Sequence, residues 1–273
     1  MASITLLSVV FICHDRPNLT ELCLRRFVEM IDVPHELILA YNGHDPEYIE
    51  RLTAIADFDA IVTNPPPAKH YVSQLNDAFE LCTGNLYMHL ENDCYWDNPL
   101  AAKNAIHALD TIPELDYVRM ELEPFHQSQF KRIIDLGTDK IGIFKKQVDG
   151  GPPYQFSLQP HIRRERLPAN RRFPDHPIRN YHFERLIDDW WCEAGRTSGC
   201  LMGTNFRHIG MFCGDGHFKP WLVAQMTCDK EDNKKQDMLV PQDFIGFFNE
   251  FCDNSHYREL FRRHVETHDR KSH

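Results

Sequence analysis

An apolar run over residues 86–90 breaks abruptly into the acidic sequence Glu-Asn-Asp at residues 91–93. The run has the length and composition of a buried strand, and Gly84 and Pro99 mark the limits of the segment that carries it. In an open α/β sheet, ligands bind beyond the carboxyl ends of the strands. Two carboxylates at that position can share a hard divalent cation, or divide between a cation and a ribose, whereas the simpler interpretation is a solvated turn.

Strand and helix patterns alternate through the N-terminal half of the chain. Continuous apolar runs predict strands over residues 5–12, 36–40 and 60–63 before the strand at 86–90, and each of them ends in polar residues. Amphipathic helical patterns separate the strands. This alternation predicts an α/β fold with a doubly wound sheet of the nucleotide-binding type. A Gly-x-Gly-x-x-Gly turn does not follow the first strand, which argues against a dinucleotide-dependent dehydrogenase or a methyltransferase.

Composition narrows the class of protein further. The 273 residues are 42% hydrophobic, which is enough for one large globular domain or one domain with an extension. The formal net charge of -10 argues against a general nucleic-acid binder. Nine cysteines without a Cys-x-x-Cys pair indicate reduced thiols, and therefore a cytoplasmic protein. No apolar run in the sequence approaches the length of a membrane span.

Four segments occur in a recognisable order: residues 11–19 (Phe-Ile-Cys-His-Asp-Arg-Pro-Asn-Leu), 36–43, 74–76 (Gln-Leu-Asn) and 84–93. As an ordered set, they resemble family-2-type nucleotide-sugar glycosyltransferases of the GT-A fold. The resemblance implies a GT-A-type, Rossmann-like α/β fold, with a mixed, mostly parallel sheet flanked by helices and a helical C-terminal extension. It also implies transfer of a sugar from a nucleoside-diphosphate donor to a hydroxyl of a carbohydrate or glycoconjugate acceptor.

The implied catalytic domain covers residues 1–220, with a nucleotide-binding half over 1–100 and an acceptor half over 101–220. Aromatic helical patterns after residue 241 indicate a helical extension over 221–273, packed on this domain or on a twin subunit in a homodimer. The expected partners are therefore the donor, the acceptor and a second copy of the chain, with neither nucleic acid nor a membrane among them.

The resemblance also implies roles for the residues at the strand ends. Asp93 would ligate Mn²⁺ or Mg²⁺ that bridges the sugar diphosphate, and Glu91, which stands where the family has Asp, would face the ribose or a metal-bound water. The first two strand-end loops would hold the nucleotide, and the Arg16 guanidinium suits a phosphate oxygen. The predicted nucleotide-sugar-binding residues are Cys13, His14, Arg16, Asn42, Gly43, Asn64, Asn76, Glu91 and Asn92.

Strand and hairpin patterns continue in the second half of the chain, at residues 116–122, 133–136 and 141–144. Residues 154–164 resemble the family's acceptor-side strand, in which His161 and Arg163 would contact the acceptor or the diphosphate. Six arginines between residues 163 and 179 make this region locally positive, and a solvated loop is the alternative interpretation.

A helix is predicted from Asn180 onward, because apolar residues recur there at helical spacing. Glu184 and Asp188 lie four residues apart on an adjoining face, and an inverting transfer needs one carboxylate as its general base. The resemblance implies a catalytic acid on this helix. Glu184 matches its position best, with Asp188 and Asp189 as alternatives.

A strand predicted over residues 201–206 leads into a segment that contains a histidine. In many GT-A enzymes a histidine after the catalytic helix completes the metal shell, so the resemblance implies His208 as a second metal ligand. In a chain with sixteen histidines, a structural role is an equal alternative for a single one.

Two other kinds of protein stay open from the sequence. A nucleotidyltransferase uses a similar sheet and metal, but it ordinarily has a Gly-rich phosphate loop and a Lys near the first strand, and residues 13–18 contain neither. A non-catalytic binding module would keep the fold and the nucleotide affinity without turnover. Release of the nucleoside diphosphate distinguishes the transferase from such a module.

Overall fold

The computed structural model describes residues 6–14, 16–66, 71–120, 129–145, 155–173, 180–203 and 205–208, with the backbone alone for residues 18, 180–182, 207 and 208. The chain divides into one compact unit of Met1–His14 and Thr20–Arg207 and another of Asp15–Leu19 and His208–His273. Most of the second unit lies outside the described residues. The predicted boundary at 220, the helical extension over 221–273 and its dimer surface lie there too, and they stay predictions.

Eleven strands and five α-helices occur in the described part of the chain. The strands are β1 Leu7–Cys13, β2 His35–Tyr41, β3 Ala60–Thr63, β4 Leu86–Glu91, β5 Cys94–Trp96, β6 Tyr117–Arg119, β7 Phe130–Asp135, β8 Lys140–Phe144, β9 His161–Arg163, β10 Ser198–Leu201 and β11 Phe206–His208. The helices are α1 Pro17–Met30, α2 Pro46–Thr53, α3 Tyr71–Glu80, α4 Ala101–Thr111 and α5 Asn180–Glu193. A membrane-spanning helix is not found among the described residues.

Nine of these strands form one sheet in the order β3-β2-β1-β4-β9-β6-β10-β8-β7, and β5 pairs with β11 in a separate ribbon. Strands β1 to β4 are parallel to one another. Strand β9 is antiparallel to both β4 and β6, so these two point the same way, and β6 is parallel to β10. The prediction of a mixed, mostly parallel, Rossmann-like sheet flanked by helices is confirmed. Its parallel strands end at one side, which we call the carboxyl edge.

Two apolar layers cover the faces of the sheet, because successive strand residues point to opposite sides. Val9, Phe11 and Met88 belong to the layer that includes side chains of α1, α2 and α4. Val10 and Ile38 belong to the layer that includes side chains of α3 and α5. Each large side chain buried in these layers contributes roughly 1.5–3 kcal/mol to stability.

Some predicted elements differ from the observed ones in the second half of the chain. The strand predicted over residues 201–206 is wrong, since β10 ends at Leu201 and β11 begins at Phe206. Helix α4 was not predicted, because its buried face consists largely of alanines, which give a weak apolar signal. In the described part of the strands predicted over 116–122 and 154–164, strand structure is limited to the short β6 and β9.

A carboxylate network ties the amino ends of β1, β2 and β4 together. Glu36 accepts hydrogen bonds from the Ser8 hydroxyl, from the Thr83 amide and hydroxyl, and from the Gly84 amide at 3.0 Å. A Cβ on Gly84 would lie 2.5 Å from the Leu6 carbonyl oxygen, so this close approach requires glycine. Burial raises the pKa of Glu36, but these hydrogen bonds outweigh burial and lower the pKa overall.

The substitution Glu36→Gln is expected to lower the free energy of unfolding by about 1–3 kcal/mol at pH 7, because it replaces a charged acceptor of several hydrogen bonds. The folded pKa of Glu36 is depressed, so its contribution is present above the unfolded pKa of about 4.3 and is lost as the pH falls through the folded pKa. Urea unfolding at pH 7 and in acid measures both effects. The exposed Glu50→Gln is the control, and equal unfolding midpoints for the two variants would contradict the account.

Candidate active site

The ends of four parallel strands are aligned at the carboxyl edge. Cys13 at the end of β1 pairs with Tyr41, and Tyr41 pairs with Thr63 at the end of β3. On the other side of β1, Ile12 pairs with Glu91, the last residue of β4. The polar loops that follow these strands therefore leave the sheet along one line, as the sequence predicted.

Polar side chains from three of these loops form a hydrogen-bonded chain. Asn64 Nδ2 donates to Asn42 Oδ1 at 2.7 Å, and Asn42 Nδ2 lies 3.1 Å from His14 Nδ1. Since Asn42 donates there, His14 Nδ1 accepts, and the proton of the neutral ring is on Nε2. The backbone amide of Asn64 donates to the Gly43 carbonyl oxygen at 2.7 Å. Position 43 requires glycine, because a Cβ there would overlap the Tyr41 ring. We call His14, Asn42 and Asn64 the polar wall.

Three other predicted nucleotide-binding side chains point into the protein instead. The Cys13 thiol belongs to the apolar core, because β1 alternates its side chains between the two faces of the sheet. Asn76 is buried and exchanges two 2.8 Å hydrogen bonds with the backbone of Phe173. Asn92 is buried and donates to the Thr20 hydroxyl at 2.8 Å. These contacts stabilise the fold, so the three side chains are not available to a nucleotide at the edge.

Acidic side chains follow β4 directly. A carboxylate oxygen of Glu91, one of Asp93 and the sulfur of Cys94 all lie within 4.8 Å of one another. Two carboxylates at this spacing fit a hard divalent cation such as Mn²⁺ or Mg²⁺. The His208 side chain lies outside the described residues and Arg16 belongs to the other compact unit, so their predicted roles stay predictions.

Glu184 on α5 is held by one oxygen. Its Oε1 accepts the Leu158 amide at 2.9 Å and the Ser157 hydroxyl at 3.3 Å. Among the described residues, none hydrogen-bonds its Oε2. Burial raises the pKa of Glu184, and the negative charge of Glu91 raises it further. The predicted base is therefore anchored through one oxygen and lies within electrostatic reach of the acid cluster.

Asp188, the alternative base, is buried with 1% of its surface exposed. Its Oδ1 accepts the Phe156 amide at 2.8 Å, and burial raises its pKa to about 6. Glu184 and Asp188 thus share a face of α5 as predicted, and together they hold the segment that precedes β9. This burial does not support Asp188 as a base, whereas Asp189 is exposed.

His161 and Arg163 are fully buried, so they do not reach a ligand at the edge. The His161 ring stacks on His89 and Tyr117. Arg163 donates to the carbonyls of Glu165 and Arg166 at 2.8 Å, and its guanidinium lies 4.4 Å from the ring centroid of Phe79. Strand β9 lies between β4 and β6, and the burial of both side chains does not support their predicted contact with an acceptor or a diphosphate.

Three residues near the acids were not predicted from the sequence. Burial raises the pKa of the Tyr71 hydroxyl, and the charges of Glu91 and Glu184 raise it further, so this first residue of α3 lies close to both acids. Arg119, at the end of β6, is buried, and its charge lowers the pKa of Glu184. His89 precedes Glu91 by two residues, and strand periodicity therefore places both on one face of the sheet.

No protein-family model matches the chain, and no curated protein does either. Among solved structures, the chain is similar to the glucosyl-3-phosphoglycerate synthase from Mycobacterium tuberculosis in complex with Mn²⁺, UDP and glucosyl-3-phosphoglycerate, at 18% identity and a TM-score of 0.38 over 45% of this chain and 46% of that one. It therefore spans less than half the length of that synthase. It is also similar to a CMP:2-keto-3-deoxy-manno-octonic acid synthetase complexed with CTP, at 12% identity and a TM-score of 0.46 over 81% and 96% of the two chains. Likenesses this distant carry no argument about function, so the chemistry of the site has to supply it.

The raised pKa of Asp188 predicts a specific pH dependence of stability. An acid whose folded pKa of about 6 exceeds its unfolded pKa of about 3.9 binds more protons in the native state, so its contribution weakens as the pH rises from 4 to 6. Asp188→Asn removes this titration. Urea unfolding measures the free energy of unfolding of both proteins. Relative to the wild type, that of the variant should rise by about 2–3 kcal/mol between pH 4 and pH 7. If the difference in free energy of unfolding between the two proteins does not change with pH, the pKa of Asp188 is not raised in the folded state.

Proposed function

We propose that this chain is a metal-dependent glycosyltransferase that moves a sugar from a nucleoside-diphosphate donor to an acceptor hydroxyl with inversion. The observation that carries the proposal is one arrangement at the carboxyl edge. There, carboxylate oxygens of Glu91 and Asp93 lie within 4.8 Å of each other, Glu91 ends a strand in register with those that carry the polar wall, and its charge raises the pKa of Glu184. The polar wall, on the side proposed to bind the donor, and Glu184, the proposed base, are thus both linked to the pair Glu91 and Asp93.

The donor side suits a nucleotide and its diphosphate. In the polar wall, the half-buried His14 and Asn42 offer imidazole and amide groups for hydrogen bonds to a base or ribose, while the buried Asn64 holds Asn42 in place. The N-terminal amides of α2 are already capped by the Asp45 carboxylate, but α3 begins after β3, so its positive dipole end lies on the side of the carboxyl edge. That arrangement favours a negatively charged group there. Mn²⁺ or Mg²⁺ bound at Glu91 and Asp93 would act as a Lewis acid on the diphosphate leaving group.

The base side rests on Glu184. Leu158 and Ser157 fix Oε1, which leaves Oε2 to accept the proton of an acceptor hydroxyl. The pKa of this carboxylate is raised toward neutral pH, and a general base works best when its pKa lies near the operating pH. As the proton moves to Oε2, the acceptor oxygen bonds the anomeric carbon, and the bond from that carbon to the diphosphate oxygen breaks on the opposite face. The charge of Arg119 favours the ionised form of Glu184, and the Tyr71 hydroxyl lies close to Glu91 and Glu184.

Replacing Asp93 by Ala should abolish turnover and Mn²⁺-dependent nucleotide binding while the fold stays intact, because a single carboxylate is a poor ligand set for a divalent ion. Calorimetric titration with UDP or GDP, with and without Mn²⁺, measures the binding. Asp110→Ala, an exposed change on α4, is the matched control. Full activity of the Asp93 variant would end the assignment.

Replacing Glu184 by Gln should leave donor binding unchanged and slow transfer by roughly two to four powers of ten, the usual contribution of a general base. The glutamine oxygen can still accept the Leu158 amide, so the fold is preserved. Glu193→Gln, exposed at the end of the same helix, is the control. If the Glu184 variant transfers at the normal rate, Glu184 is not the base, and Asp189 is the next residue on α5 to test.

The alternatives are separated by the products. Incubation with a panel of nucleotide sugars should release a nucleoside diphosphate, slowly by hydrolysis without an acceptor and faster with one. A nucleotidyltransferase would instead release pyrophosphate from a nucleoside triphosphate and a free sugar. A binding module would bind nucleotides and release neither product.

A further inference from the structure

We propose that the cation site at the carboxyl edge is a mixed carboxylate–thiolate site, in which the sulfur of Cys94 joins Glu91 and Asp93, and that it prefers thiophilic divalent ions such as Zn²⁺, Co²⁺ and Cd²⁺ to Mg²⁺. The inference deepens the proposed function, since it concerns the same cation site. It adds the Cys94 sulfur as a third ligand, which the two carboxylates alone do not imply.

The first observation is the position of the sulfur. Cys94 Sγ lies 3.9 Å from Asp93 Oδ1, and both lie within 4.8 Å of a Glu91 oxygen. Ligands at zinc distances of about 2.0 Å for oxygen and 2.3 Å for sulfur are roughly 3.5 Å apart around a tetrahedral ion. Small side-chain rotations therefore bring all three donors onto one ion. Within the described residues, this is the one group of three metal-binding side chains.

The second observation is independent and comes from His89. This side chain is 1% exposed, and neither of its ring nitrogens has a hydrogen-bond partner among the described residues. Its Nε2 lies 3.7 Å from Glu91 Oε1, so the ring points at the acid cluster. Metal-binding carboxylates are commonly held by a second layer of hydrogen-bond donors. A small rotation of Glu91 would give it that donor and satisfy the buried histidine.

Chemistry then separates the candidate ions. Thiolate ligands select Zn²⁺ and other borderline or soft ions, whereas Mg²⁺ is bound by oxygen ligands alone. The Cys94 thiol would lose its proton to solvent when the ion binds, forming the metal–sulfur bond. A site of two carboxylates and one thiolate should therefore bind Cd²⁺ or Zn²⁺ well ahead of Mg²⁺.

The test uses the full chain and metal alone. Titration with Cd²⁺ should produce a thiolate-to-metal charge-transfer absorbance that saturates at one equivalent. Cys94→Ser should remove that absorbance and weaken Cd²⁺ binding by about tenfold or more. Cys200→Ser is the control, since its buried sulfur lies on β10 and bonds the Leu201 carbonyl. An equal absorbance and equal affinity in Cys94→Ser would assign the signal to other thiols and overturn the proposal.

A second variant keeps the test decisive if Cys94→Ser does not fold. Asp93→Asn leaves the thiol in place, so it should retain the native circular dichroism yet lose Cd²⁺ affinity by a comparable factor. Unchanged Cd²⁺ binding in Asp93→Asn would also overturn the proposal. These readouts involve neither nucleotide nor turnover. Normal sugar transfer without a Cd²⁺–thiolate signal would therefore reject this inference alone, and the signal without transfer would reject the proposed function alone.

Discussion

The parallel register of β1 to β4 is the constraint on which the rest of this structure depends. Backbone hydrogen bonds fix Ile12 beside Glu91 and Cys13 beside Tyr41, so the loops after these strands leave the sheet at the same level. This register brings the polar wall, Glu91 and Asp93 to one edge of the sheet, and hydrogen bonds among His14, Asn42 and Asn64 add to it within the wall. A shift of one residue in β4 would turn Glu91 and His89 to the opposite face, into the layer of α1, α2 and α4.

In the second half of the chain, Glu184 is positioned by contacts between helix α5 and the segment that precedes β9. Strand β9 runs antiparallel between β4 and β6, and the segment before it is held to α5 by two carboxylates. Asp188 contributes only to this attachment, because burial and the Phe156 amide occupy it. Glu184 uses one oxygen for the attachment, and in the proposed mechanism its other oxygen takes the proton of the acceptor. Two similar acids one helical turn apart thereby acquire different tasks from their surroundings, as their separate hydrogen bonds and exposures indicate.

The sequence predicted the strand ends well because the signal for a buried parallel strand is local. The bounds of β3 and the start of α5 agree with the structure, and α5 stops before Gly195, whose φ of 69° suits a residue without a side chain. Sequence spacing could not show which way a side chain points once it is placed. His161, Arg163 and Asn76 have the chemistry of ligand-binding residues, but tertiary packing covers them. The position of His89 could have been predicted, since strand periodicity alone puts it on the face of Glu91. The position of Arg119 could not, because it depends on long-range pairing of β6 with β4 through β9.

We propose that one edge of the sheet holds a nucleotide, a cation and a base together. The most direct measurement is a crystal structure of the chain soaked with UDP or GDP and Mn²⁺. The account predicts anomalous density for manganese beside the Asp93 carboxylate, the diphosphate against that ion, and the nucleoside along His14, Asn42 and Asn64. Manganese or nucleotide bound elsewhere, with the Asp93 carboxylate facing away from both, would contradict it.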